Sequence, residues 1–305
     1  MQRKIITHWL IYCLLRLLSF PFRYLPYSLL HSFGAILGTI AYHLLPTFRK
    51  ITLSNLALAP TLELSPKERI TTAKKAFQNL MITCLEYSKL EKESNLTKLA
   101  VCENPEVANS ILRSGKGVIF FCGHQANWEV LFLDGTMRMR GTAIARTLSN
   151  PFLDRWICKV RKQFGGEIIA PRQAIREGMR ALKTGSFLGI VGDQGMPNSG
   201  FSSLFLGRAA WTSPLPAILS YRTGCPILVA TIVRKAGKYY IRYSDPLWPS
   251  LKSPFQHEVK RLMGSALSLL EESIQQTPGQ WLWQHKRWKQ QEGGRLKMRF
   301  RYLES

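Results

Sequence analysis

The chain has 305 residues, of which 46% are hydrophobic, enough to bury one large core or two modest ones. Lys and Arg number 42 against 19 Asp and Glu, a formal net charge of +23. The apolar content excludes a disordered basic tail protein, and the charge calls for an anionic partner: nucleic acid, a membrane surface, or acidic proteins and phosphorylated substrates.

The first 48 residues carry Arg3, Lys4, Arg16 and Arg23 and no acid; the first carboxylate is Glu63. From residue 24 to 48 no Lys, Arg, Asp or Glu occurs, and about 20 predominantly apolar residues suffice to span a bilayer. Pro26 and Pro46 mark the ends of this run, and His31, Ser32, Thr39 and His43 interrupt it. An earlier apolar run, 5–22, contains His8 and Arg16. No small-residue cleavage site follows an early apolar stretch, which argues against a signal peptide. Residues 1–48 are therefore expected to anchor the chain, spanning the membrane or lying in its interface. A pair of buried core helices is the alternative. Basic residues flank both ends, so charge leaves the orientation open.

The rest reads as alternating helices and strands. Residues 65–95 form a helix capped at Ser65-Pro66, with Leu80, Cys84 and Tyr87 on one stripe. The continuous apolar run GVIFFC, 117–122, reads as a strand buried on both faces. A helix over 127–140 follows, then a strand at 142–146 and a helix at 151–164. A short strand at 167–170, a helix at 173–183 closed by Gly185, and a buried strand at 187–192 come next. Strands at 225–233 and 238–243 flank an Ala236-Gly237 turn, and an amphipathic helix covers 254–276. This alternation predicts an α/β fold with a mostly parallel sheet flanked by helices. The division expected is 1–48 as anchor, 49–290 as the catalytic body and 291–305 as a basic tail.

In such sheets ligands sit beyond the carboxyl ends of the strands. Two strands end there in polar residues: one runs into Gly123-His124, the other into Asp193-Gln194-Gly195. The segment from His124 to Glu129 is H-x-x-x-x-E between a strand and a helix. Its loop can bend so that the Glu129 carboxylate takes one imidazole N–H and leaves the other nitrogen as a general base. A helix-capping Glu and a loop His packed on Trp128 is the alternative. Arg146 ends the next strand, Arg161 lies on the following helix, and Asp193 is one of only four Asp residues. A phosphate-rich substrate wants arginine forks at such an edge. The six cysteines contain no C-x-x-C pair, so no metal site and no disulfide framework is expected.

These segments together carry a resemblance. GVIFFCGHQANWE at 117–129, ARTLSNPFLDRWICKVRKQFGG at 145–166 and GIVGDQG at 189–195 occur in this order. LFLGRAAWTSPLPAILSYRTGCPILVATIVR and the tryptophan-rich QWLWQHKRWK follow. With the N-terminal anchor they resemble the lipid A late acyltransferases, the LpxL/LpxM (HtrB) group within the lysophospholipid acyltransferase superfamily. The resemblance implies transfer of a fatty acyl group from acyl-carrier protein to a hydroxyl of a lipid A precursor. It implies His124 as general base with Glu129 orienting it, and Arg161, Asp193 and Gln194 positioning substrate. Arg146 joins them as a substrate-binding candidate. Many family members carry a second acidic residue after the Asp-Gln pair, where this chain has Gly195.

The chemistry agrees with that implication. An acyl thioester is already activated, so a base for the acceptor hydroxyl and donors for the oxyanion suffice. No covalent nucleophile and no cofactor is required, and no G-x-S-x-G elbow occurs. Acyl-carrier protein is acidic, the acceptor bears phosphates and the inner membrane is anionic. All three explain the charge without nucleic acid, and the resemblance implies a catalytic body on the cytoplasmic side of a Gram-negative inner membrane. The tryptophans of WLWQHKRWK beside cations suit interfacial anchoring; a helix end capping the core is the alternative. Three rivals remain: an acyltransferase for another glycolipid or a lysophospholipid, a Cys122 thiol nucleophile, and a non-enzymatic basic protein binding anionic lipid or nucleic acid. No helix-turn-helix, RNP or zinc-finger pattern supports the last.

Overall fold

A computed structural model describes residues 2–196 and 200–288. The expected basic tail, 291–305, lies outside the described residues, as does Lys289. Three helices open the chain: α1 (Gln2–Ser19), α2 (Tyr27–Leu44) and α3 (Pro46–Ala57). A longer helix, α4 (Pro66–Leu90), starts at a capping box in which Ser65 and Glu68 exchange hydrogen bonds. Then come β1 (Ala100–Cys102), α5 (Glu106–Arg113), β2 (Val118–Cys122), α6 (Trp128–Arg138), β3 (Gly141–Ile144) and α7 (Pro151–Lys162). β4 (Glu167–Ile169), α8 (Ala174–Lys183) and β5 (Phe187–Val191) follow. A hairpin of β6 (Phe201–Phe205) and β7 (Arg208–Thr212) precedes α9 (Leu215–Thr223), β8 (Ile227–Lys235), β9 (Lys238–Tyr243) and α10 (Phe255–Gln276).

Seven strands form one sheet in the order β1-β9-β8-β2-β5-β3-β4. All neighbours run parallel except β8 and β9, so β9 and β1 oppose the other five. This is the mostly parallel, helix-flanked α/β fold expected. All five residues of β2 are buried, as its unbroken apolar sequence requires of a central strand covered on both faces. The β8–β9 hairpin turns on Ala236 and Gly237, both at positive φ, the left-handed pair that matches strand twist. The β6–β7 hairpin, which the sequence reading left undivided, turns likewise on Leu206 and Gly207.

Among the described residues, the N-terminal helices supply no single spanning helix for the expected anchor. The uncharged run 24–48 is not one straight segment, because Pro46 begins a new helix and α2 meets α3 at 95°. No single helix among the described residues is long and apolar enough to cross a membrane; α2 and α3 reach that composition only as a bent pair. One stripe of α2, Leu30, Gly34, Gly38 and Tyr42, is buried. A Cβ on Gly38 would stand 2.3 Å from the Gln78 Cα of α4, so the two backbones touch where only glycine fits. The opposite stripe, Leu29, Phe33, Ile36, Ile40 and Leu44, is exposed, as are Ile5, Ile6, Trp9, Leu10, Leu14, Leu17 and Leu18 of α1. The inward stripe of α4 also differs from expectation. Its fully buried positions include Asn79, Thr83, Glu86 and Leu90, while of the expected stripe Cys84 is exposed, Leu80 half-buried and Tyr87 packed half-buried on the core.

Candidate active site

The register of two strands builds the site. β2 and β5 are parallel neighbours with Cys122 opposite Val191, so the residues that follow leave the same edge side by side. Gly192 still donates its N–H to the Cys122 carbonyl at 3.0 Å. One residue later the backbone N–H of His124 donates to Asp193 Oδ2 at 2.7 Å, and its imidazole Nδ1 meets Asp193 Oδ1 at 2.6 Å. A Cβ on Gly123 would stand 3.0 Å from Asp193 Oδ2 and 3.1 Å from Leu270 of α10, so the strand must leave through glycine.

Asp193 is 1% exposed. Burial pushes its carboxyl pKa up, but the His124 charge, the two bonds from His124 and a third from Trp281 Nε1 (2.7 Å) outweigh it. The carboxyl therefore lies below its usual range. An ionised carboxylate can only accept, so Nδ1 of His124 carries a proton, and in the neutral ring Nε2 is then the accepting nitrogen. The Gln194 side-chain nitrogen lies 3.3 Å from that Nε2. The resulting unit is a proton acceptor held by an anion behind it and facing a partly open edge; the His124 side chain is 17% exposed.

Glu129 stands elsewhere. The sequence reading gave it the imidazole N–H, but Asp193 takes that position. Glu129 instead receives Arg161 at both oxygens, Nε to Oε2 at 2.8 Å and Nη2 to Oε1 at 2.7 Å, and Trp128 Nε1 at 3.0 Å. The reason is helical geometry: Glu129 lies in the first turn of α6 and faces α7, whose Arg161 reaches across. Burial raises the Glu129 carboxyl, and the Arg161 bonds and charge pull it below its usual range. Glu129 thus bears on His124 only through Trp128, whose indole lies edge-on to the imidazole with ring centres 4.8 Å apart. Arg161 was expected on substrate phosphate; its Nε–Nη2 edge is committed to Glu129. Arg146 is exposed, two residues beyond β3.

The tryptophan-rich segment forms part of this site rather than an exposed interfacial anchor. Trp281 and Trp283 are buried completely, and Trp288 nearly so. Leu282 donates its N–H to the His124 carbonyl at 3.0 Å. The His285 ring nitrogen Nε2 accepts the Gly195 N–H at 3.4 Å, and burial holds its pKa below the ordinary histidine value despite the Asp193 charge. Arg287, 2% exposed, donates to the Trp211 carbonyl and to Thr212 Oγ1 (2.7 Å), which ties β7 to this C-terminal segment; burial lowers its pKa to about 10. Sequence reasoning missed Trp281 and His285 as site residues. Their only signal was clustering of aromatics and cations, which suits a membrane interface equally well.

Cys122 is buried, and burial pushes its thiol pKa far above the ordinary range, which opposes a thiolate nucleophile there. Beside it an apolar cavity of about 50 Å³ runs between the sheet and α6, lined by Cys122, Trp128, Phe132, Gly135, Phe187 and Gly189 among others. Trp128 of its lining packs edge-on to the His124 ring, and Cys122 lies two residues before it. Among the described residues no cluster of three His, Cys, Asp or Glu side chains could hold a metal ion.

No curated protein matches this sequence. A family model does: bacterial lipid A biosynthesis acyltransferase, aligned over residues 1–290. That span includes β2 with His124, the Asp193 loop, Trp281 and the apolar helices at the N-terminus. The chain belongs to the bacterial lipid A biosynthesis acyltransferase family.

Proposed function

We propose that the protein transfers a fatty acyl group from an acyl-carrier protein thioester to a hydroxyl of a lipid A precursor at the inner-membrane surface. The observation that carries this reading is the His124–Asp193 pair at the open edge of the sheet, next to an apolar cavity. His124 Nε2 takes the proton of the sugar-lipid hydroxyl, and the oxygen attacks the thioester carbonyl. The tetrahedral intermediate expels the carrier thiolate, which regains that proton from the imidazolium. The ester bond forms, the thioester bond breaks, and no group on the protein is acylated. Asp193 keeps the ring in the tautomer that bares Nε2 and stabilises the imidazolium. Its part is therefore orientation of the base rather than contact with substrate.

Gln194 stands where the acceptor hydroxyl must arrive, so its amide yields to the hydroxyl and then donates to it or to the developing oxyanion. Glu129 and Arg161 fix Trp128 beneath the imidazole. The remaining guanidinium nitrogen of Arg161 and the exposed Arg146 attract acceptor phosphate. The acyl chain enters along the cavity beside Cys122, which must widen beyond its about 50 Å³ to admit it. Residues 1–48 seat the body, 49–290, on the bilayer: the exposed stripes of α1 and α2 enter the apolar layer, and the surplus cations face anionic headgroups. The same cations suit an acidic carrier protein. The thioester is the co-substrate and no cofactor takes part.

Purified full-length protein in detergent, given acyl-carrier protein charged with a defined fatty acid and a lipid A precursor, tests this reading by mass spectrometry. The precursor should gain one acyl ester. Gain of an acyl group only by a lysophospholipid or another glycolipid would replace the acceptor named here. No acylation of any of them would end the acyl-transfer reading.

A further inference from the structure

Each of the three residues that follow His124 is held by side chains or backbone from other elements. Gln125 donates to Ser273 O at 3.0 Å and Thr277 Oγ1 at 2.8 Å. Ala126, at φ +47°, donates its N–H to the Gln280 carbonyl and accepts Asn79 Nδ2 (3.1 Å) and Thr83 Oγ1 (2.9 Å) at its own carbonyl. Asn127 caps α6: its Oδ1 accepts the Glu129 N–H at 3.0 Å and the Val130 N–H at 3.4 Å.

That cap works only if the Asn127 amide points its oxygen at the helix. Glu86 of α4 decides the matter. Its Oε2 accepts Asn127 Nδ2 at 2.6 Å, and a carboxylate cannot donate, so the NH2 must face Glu86 and the oxygen must face α6. Glu86 is fully buried, and both its oxygens are engaged: the Tyr239 hydroxyl donates to Oε2 at 2.6 Å and His31 Nε2 lies 2.6 Å from Oε1. Arg234 donates to both Tyr239 and Asn79, which closes the network around the loop. Burying a carboxylate is costly even when paired, and apolar side chains in place of the whole network would fill the same space at no loss. What the carboxylate adds is directionality.

We propose that Glu86 is a positioning residue: by fixing the Asn127 amide it sets the 124–129 segment so that His124 meets Asp193 and Trp128 in reactive geometry. This rests on the general-base reading of His124 given above. Misplacement of a reacting group by about 1 Å costs about 10²-fold in rate.

Glu86→Gln keeps the shape but turns one acceptor into a donor. In the acyl-transfer assay, below each variant's melting transition, kcat is expected to fall about 10²-fold while the KM for acyl donor stays within about two-fold. Asn127→Asp sets two carboxylates face to face and should fall likewise. Added to His124→Ala, Glu86→Gln should leave the residual rate unchanged, since both act on one group. Unchanged kcat in Glu86→Gln, or a further loss on top of His124→Ala, would overturn the proposal. Amide hydrogen exchange gives a reading free of substrate: residues 124–130 should exchange faster in Glu86→Gln while β2 and β5 do not. If the natural protein acylates nothing, the acyl-transfer reading fails, yet unchanged exchange at 124–130 would still be what defeats the role given to Glu86.

Discussion

His124 Nδ1 lies 2.6 Å from Asp193 Oδ1, although 69 residues separate them in the chain. Two parallel strands in register deliver them to one edge, and two glycines let them turn toward each other. The dyad is thus a product of sheet topology, whereas the H-x-x-x-x-E spacing builds a different pair.

That different pair has a structural cost of its own. Glu129 and Arg161 are bound bidentately with Glu129 buried, so Glu129→Ala strands a guanidinium. Removing one partner of such a pair costs about 3–5 kcal/mol, and the denaturant midpoint should fall accordingly. An unchanged midpoint would mean that the Glu129–Arg161 pair carries no stability.

Stability should depend on pH through His285. Burial lowers its folded pKa, so the unfolded chain takes up a proton first as pH falls through about 6.5. The contribution is complete above that value and is lost below it. Unfolding midpoints should therefore drop from about pH 7.5 to about pH 5.5, and less steeply in His285→Gln. The buried carboxyls Asp193, Glu86 and Glu129 lie below their ordinary range, so their contribution is present above about pH 4 and lost only in more acid solution. Equal slopes in the two proteins would remove His285 from the explanation.

The cavity beside Cys122 should set the acyl chain. Gly189 lines it, and a Cβ there meets nothing closer than 3.7 Å, so a larger side chain can enter the space. Gly189→Leu should shift the preferred donor toward shorter acyl chains when a series of acyl-carrier thioesters is compared. An unchanged chain-length profile would place the acyl chain elsewhere.

The outward stripe of α2 should carry membrane affinity. Fully burying one large apolar side chain contributes about 1.5–3 kcal/mol. Phe33→Lys and Ile36→Lys together should therefore weaken binding to anionic phospholipid vesicles by more than about ten-fold in a sedimentation assay. Equal binding would mean that this stripe faces something other than lipid.

Much of the fold was legible because it rests on unbroken apolar runs. The stretches at 117–122 and 187–192 became β2 and β5, and the edge they share was visible as the place for chemistry. The partner of His124 was not, because spacing along the chain carries no information about register between strands. Glu129 looked closer to His124 than Asp193 did, yet the first turn of α6 directs it to Arg161. The β6–β7 hairpin escaped notice since its short strands mix serine with apolar residues. The tryptophans at 281 and 283 read as interfacial because composition cannot tell a wet aromatic from a buried one; their burial and the bond from Trp281 to Asp193 do.

The most direct test is the single-turnover rate of acyl transfer by Asp193→Asn. An amide at this position can donate to Nδ1, which moves the ring proton to Nε2 and removes the base. The rate should fall by about 10⁴-fold, as when a triad aspartate becomes asparagine, with acceptor binding retained. A rate within about ten-fold of the natural protein would contradict the His124–Asp193 base and return the search to Glu129.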